Sequence, residues 1–404
     1  MENREQKIEE LLSRGVAEVI DREHLKQRLL AGEKLRVKLG IDPTSPNIHL
    51  GRSIPLLKLR DFQELGCDVV LIVGDFTGII GDTSDKESER PMLSREVIAE
   101  NLKTYVDQAA KLLHIDQVEV RYNAEWLGKL TYQEIGEQAD QFSLAEFIAR
   151  ENVKKRLEAG KRISLRELLY PLMQGYDSVA VRADVELGGT DQRFNLLAGR
   201  TLQPRYDQAP QDILMTNLIL GTDGRKMSSS WGNTINLTDS SNDMFGKVMS
   251  IPDELIETYF VHCTRVPLQE VKEIVTLPNP RDAKLRLAEE IVKMYHGADE
   301  AKKAVEYFVE TFSKKEVDIN AVPTTFPSVV DPSADEPKKY ENLIEMMVRM
   351  QFASSKSDAW RKIEQGGVSI DGVKISPDAV GITREKYENK VIKIGKKDFL
   401  RIVF

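Results

Sequence analysis

The sequence predicts an α/β protein built on a parallel sheet, and three observations carry that prediction. Leu35, Val37, Leu39 and Ile41 alternate as in a strand and lead into Leu50, Ile54, Leu57 and Leu65 at helical spacing. Val69 to Val73 is a continuous apolar run, the pattern of a strand covered on both faces of a parallel sheet. Strand-like runs end in glycine and carboxylate clusters at 74–82 and 188–192, on the side where open α/β sheets bind ligands. Strand, helix, strand is the βαβ unit, and the α/β class follows.

Between the first strand and its helix lie Asp42, Pro43, Thr44, Ser45, Pro46 and Asn47, a turn-forming cluster whose last residue is a good N-cap. His49 and Gly51 then fall in the first helical turn, where free N–H groups and the macrodipole attract phosphate. His49 could add a ring donor, and Gly51 lets a flat ligand lie against the backbone. Gly66 is placed to end the helix. Beyond the second strand, Asp75 or Asp82 is expected to meet a cationic group. Residues 94–113 and 131–169 repeat apolar positions at three and four, with a strand-like VEVRY between, and read as a helical block inserted between halves of the sheet.

Tyr170 to Asp177 follows, then two short strand-like runs in SVAVRADVEL. These end in Gly188, Gly189, Thr190, Asp191 and Gln192, where a carboxylate suits ribose hydroxyls and the glycines permit close approach. Taken alone, the five residues read more simply as a tight structural turn. The glycine-flanked segment 221–233, with Arg225, Lys226 and the hydroxyls of Ser228 to Ser230, has the makings of a mobile loop that closes over a triphosphate.

Composition narrows the class. A chain of 404 residues exceeds one ordinary core, so two or three domains are expected. Hydrophobic residues at 41% and charged residues at 30% fit a globular protein. No apolar run approaches the length of a membrane span, and the charged N-terminus lacks an export signal. Cys67 and Cys263 have neither disulfide nor zinc spacing, so no metal ligands are expected and the compartment reads as cytoplasm. A net charge of −8 argues against indiscriminate nucleic-acid binding, yet residues 341–404 carry 12 Lys/Arg against 9 Asp/Glu. GxGxxG and GxxxxGK[ST] are both absent.

Residues 242–312 are helical in pattern. Residues 321–337 hold four prolines and read as a linker. An amphipathic helix at 343–352, a second through Ala359 and Ile363, and a hairpin turning at Asp371-Gly372 close the sequence.

PNIHLGR, followed later by RKMSSS on an α/β pattern, resembles the two signatures of class I aminoacyl-tRNA synthetases. VKLGIDPT, IGDTS, YPLMQGYD and GGTDQ make the resemblance specific to the tyrosyl family, of the bacterial type with a C-terminal S4-like module. It implies a Rossmann-like catalytic domain over 1–233 with a helical insertion at about 91–169, and a helical anticodon-proximal domain over 234–320. A linker over 321–337 and a small α+β S4-like RNA-binding domain over 338–404 complete the expectation.

What the resemblance implies can be carried over residue by residue. His49, Thr44 and Lys226 would act in catalysis, and Gly40, Asp42, Gly51, Gly189, Asp191 and Ser230 would join His49 and Lys226 in binding ATP. Asp82, Tyr170 and Gln174 would hold the amino group of tyrosine, Asp177 would accept from its phenol, and Gln192 would line the same pocket. Lys38 would join the tyrosine-binding set, at a position where one branch of the family has a tyrosine that touches the substrate hydroxyl, which leaves Asp177 the surer phenol partner. Lys356, Arg361 and Lys362 would touch tRNA phosphates. Arg52 and Ser229 depart from the signatures and shift phosphate charge toward Lys226 or a monovalent cation.

The implied reaction is attack of the tyrosine carboxylate on the α-phosphorus of ATP, then transfer to the 3′ end of tRNA(Tyr). Magnesium would come with ATP, held by phosphates and water, and the enzyme would be a homodimer off the membrane. Three rival readings are a tryptophanyl-type synthetase, a nucleotidyltransferase and a non-catalytic RNA-binding protein. The first would lack the tail, the second would be far shorter, and the third would not activate any amino acid.

Overall fold

The computed structural model describes residues 2–83, 92–312, 324–325, 329–331, 339–340, 342–370, 373–376, 380–395 and 398–403. The chain divides into two units, Met1–Val305 and Glu306–Phe404. In the first, β1 (Val16–Ile20), β2 (Arg36–Ile41), β3 (Asp68–Val73), β4 (Val118–Tyr122), β5 (Val185–Gly189) and β6 (Asp212–Thr216) form one sheet in the order β1-β6-β5-β2-β3-β4. All neighbours are parallel except β1 and β6. From β2 the chain runs one way to β3 and β4, then returns to β2's other side with β5. The crevice between the carboxyl ends of β2 and β5 is therefore the topological switch point, where such sheets bind ligands.

Several local expectations are corrected. The helix after β2 spans Leu50–Glu64, and its N-cap is His49 in extended backbone, not Asn47. Tertiary pairing overrides the capping preference here: Leu50 N–H donates to Ile235, Leu237 N–H donates to Ile48, and Ile48 N–H donates to Gln108 Oε1 at 2.7 Å. Asn47 Oδ1 instead accepts from Thr238 Oγ1 at 3.0 Å. The first strand-like run after Asp177 is helical too, because one helix covers Leu165–Val181, opened by a Ser164/Glu167 capping box and closed by Arg182 at φ 52°. Gly175 explains how: a Cβ there would come within 2.9 Å of the Ala198 carbonyl carbon, so its absence lets this helix press against the helix Arg193–Leu202. Val179 and Val181 are both buried, Val181 against Val70 and Ile72 of β3, and this burial outweighs their preference for strand. VEVRY is β4, the edge strand of the main sheet, so it splits the helical block in two.

The helices from Ser241–Met249 to Pro280–His296 belong to the first unit, tied in by the 48–50 pairing and by a hydrogen bond from Tyr295 O–H to Ser53 Oγ at 2.9 Å. The second unit packs the helices Leu343–Arg349 and Lys356–Glu364 on a five-stranded sheet, with Met346, Met347, Ile363, Val368, Ile392 and Leu400 in its core. Thr324–Thr325 pairs in parallel with Asp398–Ile402, so this part of the expected linker is a strand of the C-terminal sheet. Ile370 pairs with Val373 as a hairpin requires, while the Asp371-Gly372 turn lies outside the described residues. No helix among the described residues is long and apolar enough to cross a membrane.

Candidate active site

A cleft of about 1080 Å³ opens at the switch point, lined by the 40–46 turn, the start of the Leu50–Glu64 helix, the 165–181 helix, the end of β5 and the 226–231 loop. Every residue expected to act in catalysis or to bind ATP lines it: Gly40, Asp42, Thr44, His49, Gly51, Gly189, Asp191, Lys226 and Ser230. So do Asp82, Tyr170, Gln174, Asp177 and Gln192 from the expected tyrosine set. Lys38 does not. Its side chain is wholly buried beneath the cleft and its ammonium faces Glu186, so direct contact with substrate, expected from the sequence, is not its position here.

One end of the cleft is a set of buried acceptors. Asp177 Oδ1 accepts from Trp126 Nε1 at 2.8 Å and Oδ2 from Asn123 Nδ2 at 3.2 Å, and burial pushes its carboxyl up to about 7. Asp42 Oδ1 accepts from Thr77 Oγ1 at 2.7 Å and Oδ2 from Tyr170 O–H at 2.8 Å, and burial raises it to about 6. Gly74 makes this possible, since any Cβ there would overlap Asp42 Oδ1. Gln192 Nε2 donates to Asp82 Oδ2 at 2.6 Å. Asp75 is outside the lining and accepts from Ala124 N–H, so of the two candidate aspartates only Asp82 faces the cleft.

The other end presents donors. Arg52 donates to Thr44 Oγ1 and to Tyr105 Oη, both at 2.8 Å, which fixes its guanidinium over the turn. Lys226 Nζ reaches Asp191 Oδ2 at 3.0 Å. Gly51 N–H, in the first helical turn, donates to Met227 Sδ at 3.3 Å, a weak acceptor that phosphate oxygen would readily displace. Ser229 Oγ lies 3.3 Å from Ser45 Oγ, which places the loop against the opposite wall. His49 is buried and its Nδ1 has no partner among the described residues; burial together with Arg52 and Lys226 lowers its pKa to about 3, so the ring is neutral. A neutral imidazole can donate from one nitrogen without adding charge.

Sequence reasoning missed Trp126 and Asn123, which hold Asp177, and Thr77, which holds Asp42. It also missed Glu186, although an acidic residue inside the apolar run VEL is itself a signal, because a charge in a buried strand needs an opposite partner. In the second unit, Lys356, Arg361 and Lys362 share one helix; Lys356 pairs with Glu345, and both Arg361 and Lys362 pair with Asp358.

Comparisons with known proteins give the chain's family. Residues 30–313 match the family model for tRNA synthetases class I (W and Y), and residues 324–402 match the Tyrosine--tRNA ligase SYY-like C-terminal domain. The Tyrosine--tRNA ligase of Thermotoga maritima is 45% identical over 97% of this chain and 96% of its own. That of Carboxydothermus hydrogenoformans is 43% identical over 98% and 97%. Among solved structures, tyrosyl-tRNA synthetase from Archaeoglobus fulgidus, complexed with L-tyrosine, has the same fold with a TM-score of 0.59 at 23% identity, covering 74% of this chain and 99% of its own. The chain belongs to the class I aminoacyl-tRNA synthetases of the tryptophan and tyrosine group, and within it to the tyrosine–tRNA ligases.

Proposed function

We propose that the cleft carries out tyrosine activation as follows. The enzyme is a tyrosine–tRNA ligase: it joins tyrosine to ATP as tyrosyl-adenylate, releasing pyrophosphate, and passes the tyrosyl group to the 3′ end of tRNA. The observation that supports these roles is that one cleft holds a buried carboxylate set and a phosphate-seeking donor set together. The tyrosine phenol donates to Asp177, and its ammonium sits among Asp82, Tyr170 and the Gln174 carbonyl oxygen. The ribose of ATP meets Asp191 and Gly189, while Thr44, His49, Gly51 N–H, Lys226 and Ser230 attend the phosphates, and Gly40 and Asp42 floor the nucleotide.

No side chain acts as a nucleophile. Catalysis comes from alignment of carboxylate and α-phosphorus and from donors that meet charge developing on the leaving pyrophosphate. The groups at this end are donors rather than a carboxylate cage, which suits magnesium held by ATP's own phosphates and water. Tyr132, Leu144 and Leu165 on the helical block are exposed large apolar side chains of the kind a second copy of the chain would cover, and a cytoplasmic homodimer is the assembly this reading favours. Lys356, Arg361 and Lys362 contact tRNA phosphates.

Pyrophosphate exchange across the twenty amino acids tests the reading: tyrosine should support it far better than any other, and a preference for another amino acid, or exchange with none of the twenty, would overturn it. A chain truncated after Phe312 should keep exchange near normal while tRNA charging falls sharply. Equal loss of both would assign the C-terminal unit to support of the catalytic fold.

A further inference from the structure

Beneath the cleft, β2 and β5 pair in parallel with Lys38 directly opposite Glu186, each in a run of aliphatic residues. Both side chains are inaccessible to solvent. Lys38 Nζ lies 2.9 Å from Glu186 Oε1, and donates to Ser178 Oγ at 2.7 Å and to the Gln174 backbone carbonyl at 3.0 Å. Glu186 Oε1 also accepts from Gln174 Nε2 at 3.1 Å, and Oε2 accepts from Ser178 Oγ at 2.9 Å and from Gln211 Nε2. Gln211 fits because Gly199 leaves space; a Cβ there would overlap Gln211 Nε2 and come 2.9 Å from Ser178 Oγ. A buried ion pair of this kind is seldom a source of net stability, because desolvating both charges offsets their attraction. Its geometry points to another use.

We propose that the Lys38–Glu186 pair is a polarity lock on Gln174. An amide of a residue lining the cleft can turn either its NH2 or its carbonyl oxygen toward a ligand. A carboxylate oxygen that faces an ammonium acts as an acceptor, so Glu186 claims the NH2 and leaves Gln174 Oε1, which has no protein partner among the described residues, as the face offered to the cleft. Lys38, with its ammonium 2.9 Å from Glu186 Oε1, fixes Glu186 in place. The ligand this selects is one that presents a cation beside Gln174, an α-ammonium, and rejects one that presents a carboxylate or carbonyl there. Lys38 and Glu186 thus act through Gln174 as positioning residues. This rests on the reading that Gln174 meets the amino group of tyrosine.

Gln174→Ala tests that underlying reading: the KM for tyrosine in pyrophosphate exchange should rise about tenfold, the worth of one charge-assisted hydrogen bond, with the KM for ATP unmoved. An unchanged tyrosine KM would remove Gln174 from the site and the lock with it. The lock itself is tested by Lys38→Met/Glu186→Leu, which removes both charges together. Tyrosine KM should again rise about tenfold at constant ATP KM. Adding Gln174→Glu to that double variant should restore affinity, since a carboxylate offers an acceptor in either orientation. In the parent enzyme the same Gln174→Glu sets two carboxylates face to face and should weaken tyrosine instead.

Opposite signs of Gln174→Glu in the two backgrounds support the lock; the same sign in both overturns it, as does a folded double variant with parental tyrosine KM. Should the double variant not fold, Glu186→Gln decides alone. With Lys38 still drawing the amide oxygen to the Oε1 position, it should keep tyrosine KM within about threefold, a difference below one hydrogen bond. A larger rise would overturn the proposal.

Discussion

The two ends of the cleft differ in when their hydrogen bonds are made. Around Asp177 and Gln174, protein groups already meet one another before any substrate enters: Trp126 and Asn123 hold the carboxylate, and Glu186 the amide. At the phosphate end the partners are provisional. A methionine sulfur occupies the Gly51 N–H, Lys226 rests on Asp191, Ser229 and Ser230 of the loop lie exposed, and His49 Nδ1 has no partner among the described residues. Recognition of a small rigid amino acid is served by geometry fixed in advance, where each misfit leaves a buried group unpaired. Phosphate transfer is served by groups free to change partners as charge moves to the leaving group.

The largest test of that contrast is Asp177→Ala. Tyrosine activation should lose about 10²–10³-fold in kcat/KM, the cost of truncating one member of a buried charged hydrogen bond. Phenylalanine activation should change far less, so the ratio of the two narrows. Exchange assays with both amino acids on the folded variant measure this, and an unchanged ratio would move Asp177 from recognition to bracing of its helix.

Lys226→Ala and His49→Ala address the other end. Each should lower the rate of adenylate formation by roughly 10²–10³-fold while tyrosine dissociation, measured by equilibrium dialysis, stays near the parental value. A variant with weakened tyrosine binding and a normal rate would erase the division between the ends. Because His49 is held neutral, replacing it should also leave the pH dependence of ATP KM between pH 5 and 8 as it was.

The smallest expected effect is one of pH. The Asp177 carboxyl is raised above its unfolded value to about 7, so the fold favours its neutral form. The stability this contributes is complete at acid pH and is lost as pH rises through 7, and Asp42, raised to about 6, acts in the same direction. Binding of the phenol needs the ionised form and runs the other way. From pH 6 to 8 the tyrosine KM should fall by up to about tenfold while the thermal midpoint of the empty protein declines. Asp177→Asn should flatten the first trend, and parallel trends in the parent would contradict the assignment.

Much of this was legible in the sequence. Alternation from Leu35 to Ile41 and the apolar run at Val69–Val73 state the central strands in local terms, and they form as read. Signatures around His49, Asp177, Gly189 and Lys226 named side chains that line one cleft. What escaped depends on contacts between distant segments. The start of the Leu50–Glu64 helix is set by backbone pairing with 235–237, and the helical state of Ser178 to Val181 by packing on the helix Arg193–Leu202 and on β3. Lys38 could be placed on a strand from sequence, but the direction of its ammonium is decided by Glu186, which only the β2–β5 register brings opposite.

Gly199 shows how far from bound substrate the cleft can be retuned. It is not among the residues that line the cleft, yet one added methyl would push on Gln211 and Ser178, both of which hold Glu186. Mutational drift at such a position would surface as altered amino-acid preference with the contact surface itself unaltered. Libraries aimed at new monomers would therefore gain by sampling this hidden layer as well as the residues that face the substrate.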